Sequence, residues 1–232
     1  MTITPTPTRS RIRLPGAASH TWDDRDRDAV TTRYDRLAGL IPLFDWLFFQ
    51  PPGFRRRAVE WLALQPGSRV LEIGCGTGRN LGFLSEAAGT TGRVYGVDIS
   101  PGMLAKAREQ QIRQGWCNVE LIEQDALEFA ASEPLDGVMF GLSYNTMPNH
   151  LAVLHHAWSL LRPGGRLVVM DAKLPNGLGG ELILPFSLWL MKRTMLGNPL
   201  IKPWEDVARL AGSYEMEQFM FGSWYICRAV KS

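Results

Sequence analysis

The chain has 232 residues, 45% of them hydrophobic, which suits one domain with a full core and excludes two large ones. Its 25 Lys and Arg against 23 Asp and Glu leave a formal charge of +2, without the concentrated basic face of a dedicated nucleic-acid binder. Three cysteines, Cys75, Cys117 and Cys227, stand without metal-ligand spacing and in an odd number, so no metal site is expected and a reducing cytoplasm is the natural compartment.

Residues 1–20, rich in Thr, Pro and Arg and free of acids, lack the apolar centre of a secretory signal and read as a disordered tail, leaving 21–232 as a single domain. No run of about 18 apolar residues offers a spanning helix. Residues 21–54 read as two helical pieces broken near Pro42, a lid whose second half carries Phe44, Trp46, Phe48 and Phe49 just ahead of the basic trio Arg55, Arg56 and Arg57. The helix "FRRRAVEWLAL" then leads through "QPGS" to residues 70–78, "VLEIGCGTG", a short apolar strand ending in clustered glycines. Glycines there let the backbone approach a ligand where a side chain would collide. A dinucleotide turn needs G-x-G-x-x-G, and its third glycine would fall on Arg79. Glu72 would also repel a pyrophosphate, so a zwitterionic or cationic ligand fits better.

Further along, "RVYGVDIS" (93–100) reads as a second strand ending in Asp98, and Ser100 with Pro101 signals the start of the helix "SPGMLAKAREQQIRQG". "VELIEQDALEF" (119–129) offers a third strand followed by Asp125 and Ala126, and "LDGVMFGLSYN" (135–145) a fourth strand and its loop. "LLRPGGRLVVMD" (160–171) reads as a helix end, a Pro-Gly-Gly turn and a fifth strand. Residues 174–203 are too long for a bare loop and are expected to carry a helix that covers the substrate side. "KPWEDVARLAG" predicts a short helix, and "YEMEQFMF" with "SWYICRAV" two closing strands around Gly222.

In order and spacing these motifs resemble the class I S-adenosylmethionine-dependent methyltransferases, closely over residues 55–175 and loosely in the flanks. The resemblance implies an α/β, Rossmann-like fold: a seven-stranded, mostly parallel sheet with a C-terminal antiparallel hairpin and helices on both faces. It implies S-adenosyl-L-methionine as cofactor, its amino-acid part admitted by Gly74, Gly76 and Gly78 beside Glu72. By the same resemblance Asp98 pairs with the ribose hydroxyls, Asp125 meets the adenine amine, and Ala126 packs on the ring. Ile99, Met103 and Leu142 are expected among the cofactor-binding positions, and Tyr34 of "RYDRLA" resembles the family's tyrosine that closes over the cofactor, with an exposed amphipathic helix as the alternative.

Methyl transfer is a displacement in which positioning supplies much of the catalysis, and a base is needed only where the acceptor must lose a proton. Acceptor groups are expected from loops at the carboxyl ends of the strands, which selects Tyr144, Asn145, His150, Asp171 and Lys173, with Tyr144, His150 and Asp171 as catalytic candidates. His150 has helix capping as its alternative, and His155 and His156 read as packing residues inside the helix. Asn145-Thr146 does not form the Asn-Pro-Pro-aromatic signature of DNA-base amine methylation, so a nucleic-acid partner is unsupported. The layout resembles bacterial phosphatidylethanolamine N-methyltransferases and related quinone C-methyltransferases, departing from both between 174 and 203. The expected acceptor is therefore apolar, first a phospholipid head group such as phosphatidylethanolamine. A quinone or natural-product C- or O-methyltransferase is the alternative, and a non-catalytic nucleotide-binding module the reading from another class. "LIPLFDWLFFQPPGFRRR" and "ELILPFSLWLMKR" pair apolar faces with basic residues, as expected of a lid resting on an anionic membrane surface or, alternatively, packing on the sheet edge.

Overall fold

The computed structural model describes residues 50–147, 149–173 and 200–232. In chain order its elements are α1 (Phe54–Leu62), β1 (Arg69–Ile73), α2 (Leu81–Ala88), β2 (Arg93–Asp98), α3 (Pro101–Gln114), β3 (Val119–Glu123), β4 (Leu135–Gly141), a 3-10 turn (Tyr144–Thr146), α4 (His150–Leu160), β5 (Leu161–Ala172), α5 (Pro203–Ala211), β6 (Glu215–Phe219) and β7 (Trp224–Val230). The strands form one sheet in the order β3-β2-β1-β4-β5-β7-β6. The first five are parallel, and β7 inserts antiparallel between β5 and β6. The Rossmann-like sheet and its antiparallel close are thus as the motif order implied. The order reverses at β1 and β4, and in open α/β sheets the crevice at the carboxyl ends beside such a reversal receives ligands.

Local signals fix the helix ends. Ser100 caps α3 by accepting from the Met103 amide at 3.1 Å, Pro101 occupies the first turn, and Gly115 ends the helix at a φ of 70°. The Pro-Gly-Gly turn lies within the first residues of β5 rather than before it. Leu135 pairs with Leu161 and Gly137 with Arg166, so the residues between bulge out of the ladder.

Strand alternation divides the core between the two faces of the sheet. Val70 and Val94 meet α1, α2 and α3 through Phe54, Ala58, Leu81, Leu84 and Ala107. Leu71, Ile73, Tyr95 and Phe140 meet α4 and α5 through Val153, Leu154, Ala157 and Val207. By the same alternation Glu72 shares the α1 face with Val70, whereas Asp171 and Tyr225 share the α4 face with Val169 and Cys227. His156, read as a packing residue, places Nε2 2.8 Å from the Phe129 carbonyl, while His155 is exposed.

Of the predicted lid only residues 50–54 are described, and the covering segment 174–203 lies outside the described residues except for its last four. Among the described residues no helix is long and apolar enough to cross a membrane. The basic trio does not form a free cationic face. Arg55 turns inward, with Nε donating to Gln50 Oε1 at 3.0 Å and Nη1 to Asn80 Oδ1 at 2.8 Å. Arg56 pairs with Glu86 at 3.3 Å, and Arg57 with Glu217 at 2.9 Å and Glu60 at 3.3 Å. Of the three arginines expected either at a lipid surface or on a helix packed on the sheet, Arg56 and Arg57 are thus exposed and ion-paired and Arg55 faces inward.

α1 is anchored by Phe54, 1% exposed, whose ring meets Phe219 and Trp224 edge-on, each with a centroid separation of 5.3 Å. Phe54→Ala should therefore cost about 3–5 kcal/mol. Urea denaturation checks this, and a loss below about 1 kcal/mol would mean that α1 is not fastened to the hairpin as described.

Candidate active site

β1 ends at Ile73, and the chain folds over the end of β2 because the Gly74 and Cys75 amides both donate to the Val97 carbonyl, at 2.8 and 3.1 Å. Gly74, Gly76 and Gly78 have φ values of 68°, 54° and 83°, a left-handed region that penalises side chains. Their surroundings differ. A Cβ on Gly74 would lie 2.6 Å from Ser143 Cβ, and one on Gly78 3.2 Å from Ala107 Cβ, so both glycines serve close packing. A Cβ on Gly76 would meet no atom of the described residues within 4 Å. Gly76 thus faces space that the described residues leave open. Asp98 holds this loop against α3, accepting from the Gly76 amide at 2.8 Å and the Ser100 amide at 2.9 Å. Each carboxylate oxygen retains acceptor capacity beyond one such bond.

Beneath the loop lies Glu72, 0% exposed. Oε1 accepts from Asn80 Nδ2 at 2.5 Å, and Oε2 has no hydrogen-bond partner among the described residues. Burial pushes this carboxyl up to about 8, against the opposing pull of the Asn80 hydrogen bond and the Arg55 charge. Gly141 makes room for the pair, because a Cβ there would collide with Asn80 Nδ2 and sit 2.9 Å from Glu72 Oε1.

The remaining predicted cofactor positions follow the carboxyl ends of β2, β3 and β4. Asp125 Oδ1 accepts from the Leu127 amide at 2.8 Å, and the half-buried Ala126 packs against the core around Tyr95 and Phe129. Ile99 is half-buried, whereas the Met103 side chain is buried and its amide is used by the α3 cap. Leu142 adopts a φ of 61° and donates its amide to the Met170 carbonyl at 2.9 Å. Tyr34 lies outside the described residues.

On the other face, the acceptor candidates lie at the carboxyl ends of β4 and β5 and beside the amino end of β7. Tyr144 is fully buried; its hydroxyl donates to Asp206 Oδ2 at 3.1 Å, and burial beside that acid holds it far above the ordinary tyrosine range. Its ring meets His150 edge-on at 5.3 Å, and His150 Nε2 is 3.9 Å from the same Asp206 oxygen. His150 opens α4 rather than capping it, the cap position being Asn149. Asp171 accepts from the Ala172 amide at 2.8 Å, while its Oδ2 has no partner among the described residues. Burial raises it to about 7, offset in part by the Ala172 and Asn145 backbone amides. Tyr225 stands opposite Asp171 in the β5–β7 ladder, its buried hydroxyl also without a partner among the described residues, as is Asn145 Oδ1. Lys173 Nζ lies 5.5 Å from the Trp204 ring, which packs edge-on against Tyr225.

Residues 70–165 match the family model described as a methyltransferase domain. Demethylmenaquinone methyltransferase of Staphylococcus aureus (strain JH9) is 31% identical over 148 residues, 63% of this chain. The chain spans 58% of the length of that relative. Among solved structures, a SAM-dependent methyltransferase from Aquifex aeolicus superposes with a TM-score of 0.60 at 20% identity, covering 84% of this chain and 98% of that one. A SAM-dependent O-methyltransferase from Thermotoga maritima gives 0.57 at 15% identity, covering 78% of this chain and 66% of that one; such identities speak for the fold. Residues 70–165 thus form a methyltransferase domain, on the fold that the solved S-adenosylmethionine-dependent methyltransferases share.

The residues present suit the domain's cofactor. Gly76 leaves open the space beside the loop, and Glu72 Oε2 offers a buried acceptor suited to an ammonium group. Sequence reading missed Arg55, Asn80, Asp206 and Tyr225, each of which reaches the site from an element without a motif. Replacing the two loop glycines separates their tasks. Gly74→Ala should cost about 1–3 kcal/mol from overpacking on Ser143, in addition to its backbone strain. Gly76→Ala should cost only about 1–2 kcal/mol of backbone strain, yet weaken S-adenosylhomocysteine binding at least about tenfold. Urea denaturation and calorimetry distinguish the two, and normal ligand affinity in Gly76→Ala would show that the ligand does not approach there.

Proposed function

We propose that this protein is an S-adenosylmethionine-dependent methyltransferase acting on a ring carbon of a quinone-type acceptor in its reduced, hydroxylated form. The observation that carries the acceptor class is the 31% identity over 148 residues to a demethylmenaquinone methyltransferase. Methylation of a phospholipid head group has less behind it, because one arginine of the basic trio is inward-facing and the other two are ion-paired.

The chemistry of the site supports a phenolic acceptor. A ring carbon beside a hydroxyl becomes nucleophilic when the hydroxyl loses its proton, so a base that titrates near neutrality is wanted. Asp171 meets that requirement, with its carboxyl raised to about 7 and Oδ2 unpartnered among the described residues. When bound, S-adenosylmethionine supplies an electrophilic methyl group. Asp171 takes the hydroxyl proton at Oδ2 and the charge spreads to the ring carbon; once that carbon bears the methyl group its own proton leaves to solvent, and Asp171 returns its proton to the ring oxygen, which restores aromaticity. Tyr225, facing Asp171 across the ladder, contributes a hydroxyl to the same subsite. Tyr144 and His150 act through Asp206, fixing the loop after β4 against α5. Asp98 receives the ribose hydroxyls and Asp125 the adenine amine in this reading, with Ala126, Ile99 and Leu142 beside the ring.

Incubation with labelled methyl donor, a reduced demethylated naphthoquinone and, separately, phosphatidylethanolamine vesicles tests the acceptor. Label should enter the quinone fraction, and label confined to phospholipid or macromolecules would overturn the reading. Asp171→Asn should lower kcat about 10²–10⁴-fold while leaving S-adenosylhomocysteine binding intact. The wild-type rate should rise as pH climbs through about 7, where Asp171 loses its proton. The stability sign is opposite, because the folded pKa lies above the unfolded value of about 4. The contribution of Asp171 to stability is fully present below the unfolded value and lost as pH rises through about 7, so Asp171→Asn should melt higher than the parent at pH 8.

A further inference from the structure

Arg55 and Asn80 belong to no motif, yet they make a directed chain to the buried acid of the glycine loop. Arg55 can only donate and an ionised Glu72 only accept, which fixes the orientation of the Asn80 amide between them: Oδ1 takes Arg55 Nη1 at 2.8 Å and Nδ2 gives to Glu72 Oε1 at 2.5 Å. Gln50 holds Arg55 from behind at 3.0 Å. The arrangement occupies one oxygen of Glu72 and leaves Oε2 without a partner among the described residues, in a side chain with 0% exposure. Gly141 keeps the required space clear, since any Cβ there collides with Asn80.

We infer that Arg55 and Asn80 are a positioning pair that orients Glu72 and eases its ionisation when the ammonium group of an amino-acid-bearing ligand binds, so that α1 sets the affinity for that end of the cofactor. The inference rests on the methyltransferase reading and extends it to a helix ahead of the first strand. Among the described residues four groups face Glu72 or its field: Arg55 from α1, Asn80 from the loop before α2, Asp98 from the end of β2, and the buried Cys75 thiol, pushed well above its ordinary value. Asp98 raises Glu72 and burial raises it further, whereas Arg55 and Asn80 pull it down. In Arg55→Met the carboxyl should therefore rise above about 8 and bind a cation only at higher pH.

The test is calorimetric titration of the purified chain with S-adenosylhomocysteine and, separately, with 5′-methylthioadenosine, which has the nucleoside but no amino-acid end. If Glu72 rises by about one pKa unit, Arg55→Met should bind S-adenosylhomocysteine about tenfold more weakly at pH 7, and the deficit should shrink to about twofold at pH 9. The ligand's own amine titrates identically against both proteins, so the ratio of affinities reports the protein. Methylthioadenosine should bind both equally, and Arg55→Lys, which keeps the charge but not the fork, should restore much of the pH dependence. A deficit that is the same at every pH, or equal for both ligands, would assign Arg55 a merely structural role and overturn the inference. Wild-type titrations in buffers of different ionisation enthalpy provide a check independent of any variant, with proton release expected on binding at pH 7. Binding without proton release overturns the positioning claim, whereas no binding of either ligand overturns the methyltransferase reading itself.

Discussion

A carboxyl group with 0% exposure stands near the end of β1, one of the two strands at which the sheet order reverses. An unpaired ion in such a place costs several kcal/mol, so Glu72 must be neutralised, hydrogen-bonded or opposed by a cation. All three occur in part: its pKa lies at about 8, Asn80 donates to one oxygen, and Arg55 stands one hydrogen bond further away. Residues far apart in sequence answer to this one group. Arg55 ties α1 to Asn80, Asn80 ties the exit of the glycine loop to Glu72, and a Cβ on Gly141 would collide with Asn80. None of these assignments concerns the hydrophobic core, yet each determines how a core element is set.

Features readable from the sequence were those whose cause is local. Ser100, Pro101 and Gly115 mark α3 because capping and backbone conformation depend on a few neighbouring residues. The glycine turn was legible as a ligand loop, although the division of labour between Gly74, Gly76 and Gly78 depends on Ser143 and Ala107, which no local pattern reveals. The run Arg55-Arg56-Arg57 looked like a solvated basic face. Helical spacing held a signal against that: Arg55 lies four residues before Val59 and seven before Leu62, on the stripe that faces the sheet. Asp206 resembled a helix-dipole acid in the first turn of α5, and Tyr225 an ordinary strand residue. Their meeting with Tyr144 and Asp171 follows from β7 lying next to β5, a matter of sheet order. Tyr34, the aromatic lid and most of the covering segment lie outside the described residues.

The alternation of strand side chains also separates the two halves of the chemistry. Glu72 and its partners belong to the face covered by α1, α2 and α3, whereas Asp171, Tyr225 and Tyr144 belong to the face covered by α4 and α5. The crossing between them is the loop Gly141-Leu142-Ser143. Ser143 Oγ donates to the Ile73 carbonyl at 2.6 Å and the Leu142 amide to the Met170 carbonyl at 2.9 Å, so the loop is tied to β1 and β5 at once. Leu142 is held there at a φ of 61°, a conformation costing roughly 1–2 kcal/mol for a residue with a Cβ. Strain of that kind persists only where the surroundings over-determine it. Here the two ties do so, at the point where cofactor and acceptor would meet.

Glu72 and Asp171 have a further property in common that bears on the oxidation state of the acceptor. Each has one occupied oxygen and one without a partner among the described residues, and each is raised by burial toward neutrality. Both positions therefore favour a ligand that donates. An ammonium group satisfies the first, and a ligand that binds only the folded state stabilises it by about 2.7 kcal/mol at a hundredfold excess over Kd. An oxidised quinone offers only carbonyl acceptors, whose lone pairs would oppose an ionised Asp171, whereas the reduced ring offers a hydroxyl that can donate to it and then yield the proton. The Tyr225 hydroxyl by itself would accept either form. Under the proposed function, an ionised Asp171 thus favours the reduced ring over the oxidised one.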